Sequence, residues 1–330
     1  MQSRVLCVVV GLLSVFLSCL ASAQDVDVPN NLTMRNSTGS ATGNVLKEGV
    51  PFIHNFGIDN TFVGRGAGNL TTSGFGGNTA MGARALLSND TGYGNTATGV
   101  EALFSNTLGQ DNTATGIAAL QRNTTGRANT AGGARALVSN TTGANNTATG
   151  AEALYSNTGG DNNSAHGWSA LQRNTTGSFN TATGVLALFN NTSGDDNSAH
   201  GFFALLSNTT GIANAASGYR ALYFNTTGSF NTAGGARALE SNDTGFGNTA
   251  LGVNADVSAP NLTSATAIGA NAVVNSSNKV RLGDANVMLI EGEGDFHASG
   301  AGNGIILKSP DGLTCARLSI DNREHSSRQS

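Results

Sequence analysis

Few side chains in this sequence could carry chemistry, and none of them converge. His166 and His200 occupy equivalent positions of a repeat, two repeat units apart. In a stacked β-structure that separation is ~10 Å, whereas a metal ion needs three or four ligands closing on one point. They read as surface residues standing where Thr98 stands in its own unit. Asp111, Asp161, Asp195 and Asp196 fall in turns, but the Gly-Gly-x-Gly-x-Asp nonapeptide that binds calcium in β-rolls never occurs. Gly64-Arg65-Gly66 with Gly68 is glycine-rich without the strand-then-helix setting of a phosphate loop. Cys315 has no base near it in sequence to lower its pKa and reads as inert or as an accidental crosslink site. No catalytic, cofactor-binding or metal residue is therefore assigned, and the chain reads as a non-enzyme. Asn-x-Ser/Thr sequons (Asn31, Asn36, Asn69, Asn123, Asn174, Asn208, Asn225) could accept glycans in a eukaryotic secretory pathway. Most of them are also what an Asn-Thr-Thr-Gly turn spells by default, and that is the preferred reading.

The organising feature is internal repetition. The unit Asn78 to Gly94 recurs from Asn95, Asn112, Asn129, Asn146, Asn163, Asn180, Asn197, Asn214 and Asn231, always 17 residues on. Partial units start at Asn248 and Ala265, and one at Asn60 is offset by an extra glycine. A second similarity returns every third unit: Val100 to Phe104 is echoed by Ala151 to Tyr155, and Gln121-Arg122-Asn123 by Gln172-Arg173-Asn174. That longer period reads as a history of duplication.

A unit this short cannot hold a helix-turn-helix repeat, and its fixed glycines disfavour helix. Extended, it spans roughly 56 Å, which suits one coil of a flattened parallel β-solenoid with two short strands and two turns. About twelve such coils give an all-β rod on the order of 60 Å long. Alternation in Asn-Thr-Ala-x-Gly puts Ala80, Ala97 and Ala114 on one face with the glycines, and Thr79, Thr96, Thr113, Thr130 and Thr147 on the other. The second strand is expected at Ala85-Leu86 and its equivalents through Ala238-Leu239, the leucines forming the hydrophobic spine. Gly92, Gly109, Gly126 and Gly143 are expected to supply positive φ in the following turn. Asn89, Asn106, Asn123 and Asn140 can stack into a hydrogen-bonded ladder. Positions equivalent to Ala83 (Ile117, Trp168, Phe202, Tyr219) and Leu87 (Phe104, Tyr155, Phe189) are mostly apolar yet fall opposite the leucines. Either the chain bends near Ala85, or both faces are covered and partner subunits pack alongside.

The run Asn-Thr-Ala-x-Gly-x-x-Ala-Leu-x-x-Asn-Thr-Thr-Gly resembles the head repeats of YadA-like trimeric autotransporter adhesins and related phage tail-fibre-like proteins. The resemblance covers Asn60 to Val274 and implies a parallel β-roll that forms a homotrimer and adheres to a surface. The coiled-coil stalk and β-barrel anchor of such adhesins have no counterpart after Val274. Ser277 to Val287 looks like the exit from a tail-fibre roll, and Gly302 to Asn322 like a strand-turn-strand module from a fibre end. The self-cleaving chaperone domain of some tail fibres is missing, so no autoproteolysis is implied.

Composition sets the remaining bounds. Charged residues are 12% of the chain, about half the usual ~25%. There are 45 glycines but 4 prolines, which excludes collagen. A net charge of −4 offers no basic footprint for nucleic acid. Arg4, the apolar run Val5 to Leu20 and Ala21-Ser22-Ala23 form a signal peptide cleaved between Ala23 and Gln24. That cleavage is preferred over lipidation at Cys19, because Leu17 sits where a lipobox needs a small residue. Cleavage removes Cys7 and Cys19, leaves Cys315 alone, and leaves no internal disulfide. No second apolar stretch follows, so no membrane span is expected. The domains read as a signal peptide over 1–23, an N-terminal cap over 24–59, the repeat over 60–274, a C-terminal cap over 275–322 and a disordered tail over 323–330. Caps at both ends would cover the unpaired edges of a solenoid.

Two functions fit. One is an exported adhesive module, secreted or at the cell surface, holding a host or environmental surface, glycan or protein through a repetitive polar face. The other is binding of ice or a crystal surface through Thr96-x-Thr98, Thr113-x-Thr115, Thr147-x-Thr149 and Thr181-x-Thr183, an array interrupted by Met81, Gly132, His166, His200, Ser217 and Gly234.

Overall fold

A computed structural model describes residues 44–47, 49–70 and 75–286, together with the strands Ile305–Lys308 and Cys315–Leu318. The segment read as a signal peptide, the sequons Asn31 and Asn36 and the segment read as a polar tail lie outside the described residues. The chain opens with β1 (Val45–Lys47), β2 (Val50–His54) and β3 (Thr61–Val63). Eleven three-residue strands follow at 17-residue intervals, from β4 (Thr79–Met81) to β14 (Thr249–Leu251). Then come β15 (Asp256–Val257), β16 (Thr266–Ile268), β17 (Val273–Val274) and β18 (Val280–Leu282). Strands β1 to β14, β16 and β18 form one 16-stranded sheet in sequence order. Only β1 and β2 are antiparallel in it, so the other fourteen strands are parallel rungs bounding thirteen coils. The protein is an all-β parallel solenoid, and its last rung lies past Val274, at Val280–Leu282. Beyond it, β19 (Ile305–Lys308) and β20 (Cys315–Leu318) pair as an antiparallel hairpin in the segment read as strand-turn-strand.

Each coil from Thr79 to Phe246 has one strand, and only the last two carry a second, β15 and β17. Residues 17 apart stand in register, Thr181 beside Ser198 and Ala182 beside Ala199, so each repeat position becomes a column along the rod. The Ala80 and Leu86 columns fill the core, as alternation and the conserved spacing within this chain required. The expected second strand at Ala85-Leu86 is instead a run of turns. The reason is geometric: a strand would send consecutive side chains to opposite faces, yet Ala85 and Leu86 are both fully buried. The backbone curls to bury both, with φ of 58° at Arg84 and 54° at Leu86. Its N–H groups then point alternately to the two neighbouring coils. Glu101 N–H donates to Ala83 O of the coil before (3.0 Å), and Leu86 N–H to Ala102 O of the coil after (3.0 Å). A leucine in the left-handed region costs about 1–2 kcal/mol. Burying its side chain returns about 1.5–3 kcal/mol, and the intercoil hydrogen bonds tip the balance further. Where Asp256 replaces the leucine the curl relaxes, and β15 pairs in parallel with β17.

The chain therefore bends near Ala85, the first of the two alternatives. Leu87-column residues such as Phe104, Tyr155 and Phe189 are half-buried under arginines of the preceding coil, Arg84, Arg135 and Arg173. They need no partner subunit to cover them.

The Gly92 column also corrects an expectation. Its glycines are not in the left-handed region; positive φ falls at Gly94, Asp111, Ala128 and Asn145, two residues later. Gly126 is required by close approach: a Cβ there would sit 2.5 Å from the Gly143 carbonyl and 2.7 Å from Asn140 Nδ2. The crowding comes from two buried asparagine ladders, one expected and one missed. In the expected ladder, Asn106 Nδ2 donates to Asn89 Oδ1 (2.7 Å) and to Gly109 O (3.0 Å). In the second, Asn95 Nδ2 donates to Asn78 Oδ1 (3.1 Å) and to the same Gly109 carbonyl (2.9 Å). The ladders meet at the C-terminal end, where Asn248 Nδ2 donates to Asn242 Oδ1 (3.0 Å). Ala265, which has no amide side chain to continue the ladder, donates its backbone N–H to Asn248 Oδ1 (2.9 Å), which closes the second column.

At the N-terminal end the core is plugged. Phe62 stands in the Ala80 column and Gly68 in the Leu86 column; a Cβ on Gly68 would lie 2.5 Å from the Phe62 ring. The bulk has moved from one side of the coil to the other. The Gly64 to Gly68 run is the turn of this first coil, Gly66 and Gly68 taking φ of 67° each. His54 of β2 covers Phe62, ring centroids 4.9 Å apart.

The three-unit period has a structural counterpart. Arg84 pairs with Glu101, and Gln121 bonds the other Glu101 oxygen; Arg135, Glu152 and Gln172 repeat the arrangement three coils on. In the third copy the positions become Leu186, Phe203 and Tyr223, and Phe203 meets Tyr223 edge-on at 6.0 Å.

Candidate functional site

The outward surface of the sheet is built by residues either side of the buried alanine. In Thr113–Thr115, Thr113 and Thr115 are exposed and Ala114 is buried. The Thr79 column carries a hydroxyl at every rung from Thr61 to Thr266 except Ala215. In the parallel ladder these hydroxyls recur every ~4.8 Å. The neighbouring Met81 column is mixed: Thr98, Thr115, Thr149 and Thr183 alternate with Gly132, His166, His200, Ser217 and Gly234. Complete Thr-x-Thr pairs are therefore local.

His166 and His200 sit on this face, exposed, in the Thr98 column as expected. Each Nε2 lies 3.1 Å from the serine two residues before it, Ser164 and Ser198. Among the described residues no three His, Cys, Asp or Glu side chains come together as a metal site. Asp161 and Asp195 accept from the backbone N–H of the preceding coil, Ala144 and Ser178 (2.6 and 2.7 Å), and Asp111 and Asp196 are exposed. Cys315 lies in β20, paired with Lys308 across the hairpin.

The sequons Asn123, Asn174, Asn208 and Asn225 are ladder members with no exposed surface, and Nδ2 of each makes two hydrogen bonds. Asn69 donates to Asn89 O (2.9 Å). The turn reading explains the buried four.

Just past the sheet face, the Ala83 column remains uncovered. Ile117 is 62% exposed, Trp168 53%, Phe202 43% and Tyr219 44%. The bend that covers the Leu87 column leaves this one outside. A second exposed apolar strip, Phe179, Ile212, Phe230 and Phe246, runs along the turn before the strands. An open cleft of about 610 Å³ lies at the N-terminal end between Lys47, Phe52, Val63, Arg65 and Met81.

Three groups have displaced pKa values. Hydrogen bonds from the backbone and side chain of Asn286 lower the exposed Asp284, and the other two are more buried. Burial lowers His54, against an opposing contribution from the Ala67 carbonyl it bonds at 2.7 Å. Burial raises Asp256, opposed by hydrogen bonds from Ser241 and Val257. Both lie at ends of the rod and serve the core. No helix of the described residues is long and apolar enough to cross a membrane.

The fold and surface together define a parallel β-solenoid with a hydroxyl-rich sheet face. No protein-family model, curated protein or solved structure matches the chain.

Proposed function

We propose that this chain is an exported, non-enzymatic adhesive rod, secreted or held at the cell surface, which grips a target through its outward sheet face. The observation that carries the reading is the Thr79 column, a hydroxyl ladder exposed along the rod on a core locked by two asparagine ladders. Many weak identical contacts on a stiff support favour avidity over single-site affinity. The test is attachment of beads coated with the chain to cells and to abiotic surfaces. Retention that falls when Thr113, Thr130 and Thr147 are changed together to valine supports the reading; coated beads that attach no better than bare ones overturn it.

Assembly as a homotrimer is part of the proposal and rests on the resemblance. The strip of Ile212, Phe230 and Phe246 is the surface offered for contact between copies. Light scattering coupled to size exclusion should give three times the chain mass, falling to the monomer in Phe230→Asp/Phe246→Asp. A wild-type monomer overturns it.

Ice or crystal-surface binding is the second reading, favoured by the in-register rungs at Thr96–Thr98 and Thr113–Thr115. Thermal hysteresis or inhibition of ice recrystallisation would support it, and the absence of both at millimolar protein would remove it.

A further inference from the structure

Two coils carry the same surface chemistry. Ser164-Ala165-His166-Gly167-Trp168 is matched two 17-residue units later by Ser198-Ala199-His200-Gly201-Phe202. In both, the serine hydroxyl lies 3.1 Å from the imidazole Nε2, tying the ring to the strand that bears it. The coil between them contributes Thr181 and Thr183, in register with both. Tyr219 continues the aromatic column, its ring within 3° of parallel to Phe202 at 5.9 Å. Trp168 has only Ala151 and Val185 beside it in that column, so no ring shields its indole there.

The ligand class follows from what this surface offers and what it lacks. From Ser164 to Tyr219 the three outward columns hold no carboxylate, ammonium or guanidinium, so neither an anion nor a cation finds a counter-charge. A peptide cannot add as a strand, because β9 to β11 already have parallel partners on both sides. What remains is a row of hydroxyls and imidazoles, donors and acceptors both, running beside aromatic rings that offer apolar surface. A sugar ring has the complementary form: a C–H face and a hydroxyl rim. The two Ser-His-aromatic groups stand two coils apart, ~10 Å along the rod. A β-1,4-linked glycan of the cellulose or chitin type turns alternate rings over, and so presents one face at every second sugar.

We propose that this face binds a neutral β-linked polysaccharide laid along the rod axis, with Trp168 and Phe202 against alternate sugar rings and His166, Thr183 and His200 bonding their hydroxyls. The proposal names a ligand class for the adhesive face, and so rests on that reading.

Trp168 is the only tryptophan in the 330 residues, so its fluorescence reports on this site alone. Titration of the full chain with cellohexaose or chitohexaose should move its emission, and the chain should be retained on cellulose or chitin. Trp168→Ala and Phe202→Ala, both at exposed positions, should each weaken retention about tenfold, with unchanged circular dichroism. Ile117→Ala, in the same column outside the duplicated motif, should leave retention as it was. Silent fluorescence with no retention on either polymer overturns the proposal. If coated beads still attach to cells or abiotic surfaces in that case, the adhesive reading survives; if they do not, both fall. Retention unmoved by the two aromatic variants overturns the site. So does an oligomer that Trp168→Ala dissociates, because the face would then be a subunit contact.

Discussion

An asparagine of the Asn89 ladder does three things at once, so its replacement is felt at three atoms. Asn157 Nδ2 donates to Asn140 Oδ1 and to Gly160 O, while its Oδ1 accepts from Asn174 Nδ2. Asn157→Ala leaves Asn140 Oδ1 and one N–H of Asn174 unpaired in a dry interior, where each unsatisfied group costs about 1–3 kcal/mol, and leaves Gly160 O with Asn146 Nδ2 as its one remaining side-chain donor. We expect a loss of about 3 kcal/mol or more in chemical denaturation. Asn157→Asp keeps the acceptor but loses both donations and buries a charge, so it should be the worse of the two at pH 8. Burial raises the pKa of such a carboxyl, so the folded pKa lies above the unfolded one, and stability should recover as pH falls. A stability of Asn157→Asp that is independent of pH would contradict the ladder. The glycines separate in the same way. Gly126→Ala places a methyl against Gly143 O and Asn140 Nδ2 and should cost about 3 kcal/mol or more. Gly132 lies on the open sheet face, where a Cβ would meet nothing closer than 3.9 Å, so Gly132→Thr should be neutral or slightly stabilising in the same denaturation curves.

At the scale of the element, the sequence spoke clearly about period and poorly about backbone. The strand with its buried alanine, the leucine spine and the Asn89 ladder were all legible, because identical residues recurring every 17 positions must stack. The second strand was misread because Ala85 and Leu86 look like an alternating pair. Their joint burial demands left-handed φ at Arg84 and Leu86, residue types that give no sign of it. The Asn78 ladder was overlooked for a related reason: an asparagine that opens a repeat reads as punctuation until its amide is seen on Asn95. The outer face was half legible. The repeat places His166 and His200 on it, while Trp168 and Phe202 stay open in the sequence between a bend of the chain and cover by partner subunits; the bend that the structure shows covers the Leu87 column and leaves theirs outside. The N-terminal end shows one element capped by a titratable group. His54 Nδ1 is buried without a partner, so the neutral ring suits the site and the charged one does not. Its folded pKa lies below the ordinary 6.5, so the unfolded chain binds more protons as pH falls past that value. Stability of this end should be full above pH 6.5 and decline below it. Limited proteolysis between β1 and β3 should therefore quicken from pH 7.5 to 5.5, and His54→Gln should flatten the dependence.

The whole molecule behaves as a column of near-identical layers, each contacting only its neighbours, so its stability should add coil by coil. A local lesion such as Leu171→Ala should open a segment without melting the rod, and probes at the two ends need not agree. The same logic makes the 17-residue period a mechanical quantity. Removing residues 180–196 joins Phe179 to Asn197, brings Ser198 against Ser164, and lets Asn197 and Asn208 take the ladder places of Asn180 and Asn191. No core column is interrupted, because the deleted coil holds one member of each. The shortened chain should fold, lose ~4.8 Å of length by X-ray scattering and keep most of its thermal stability. Removing residues 180–195 instead leaves Asp196 where an asparagine must sit and shifts every later residue by one. A charge then enters the Asn78 ladder, and alanine and threonine exchange faces across the sheet. That variant should fail to form a continuous rod. If the two deletions are equally tolerated, the columns do not hold the solenoid together. The longer deletion also sets Trp168 beside Phe202 at one-coil spacing and removes Thr183 from between the two histidines, so the folded, shortened rod should no longer take up cellohexaose; uptake at the full-length level would mean that neither the two-coil spacing of the rings nor the hydroxyl between them reads the glycan.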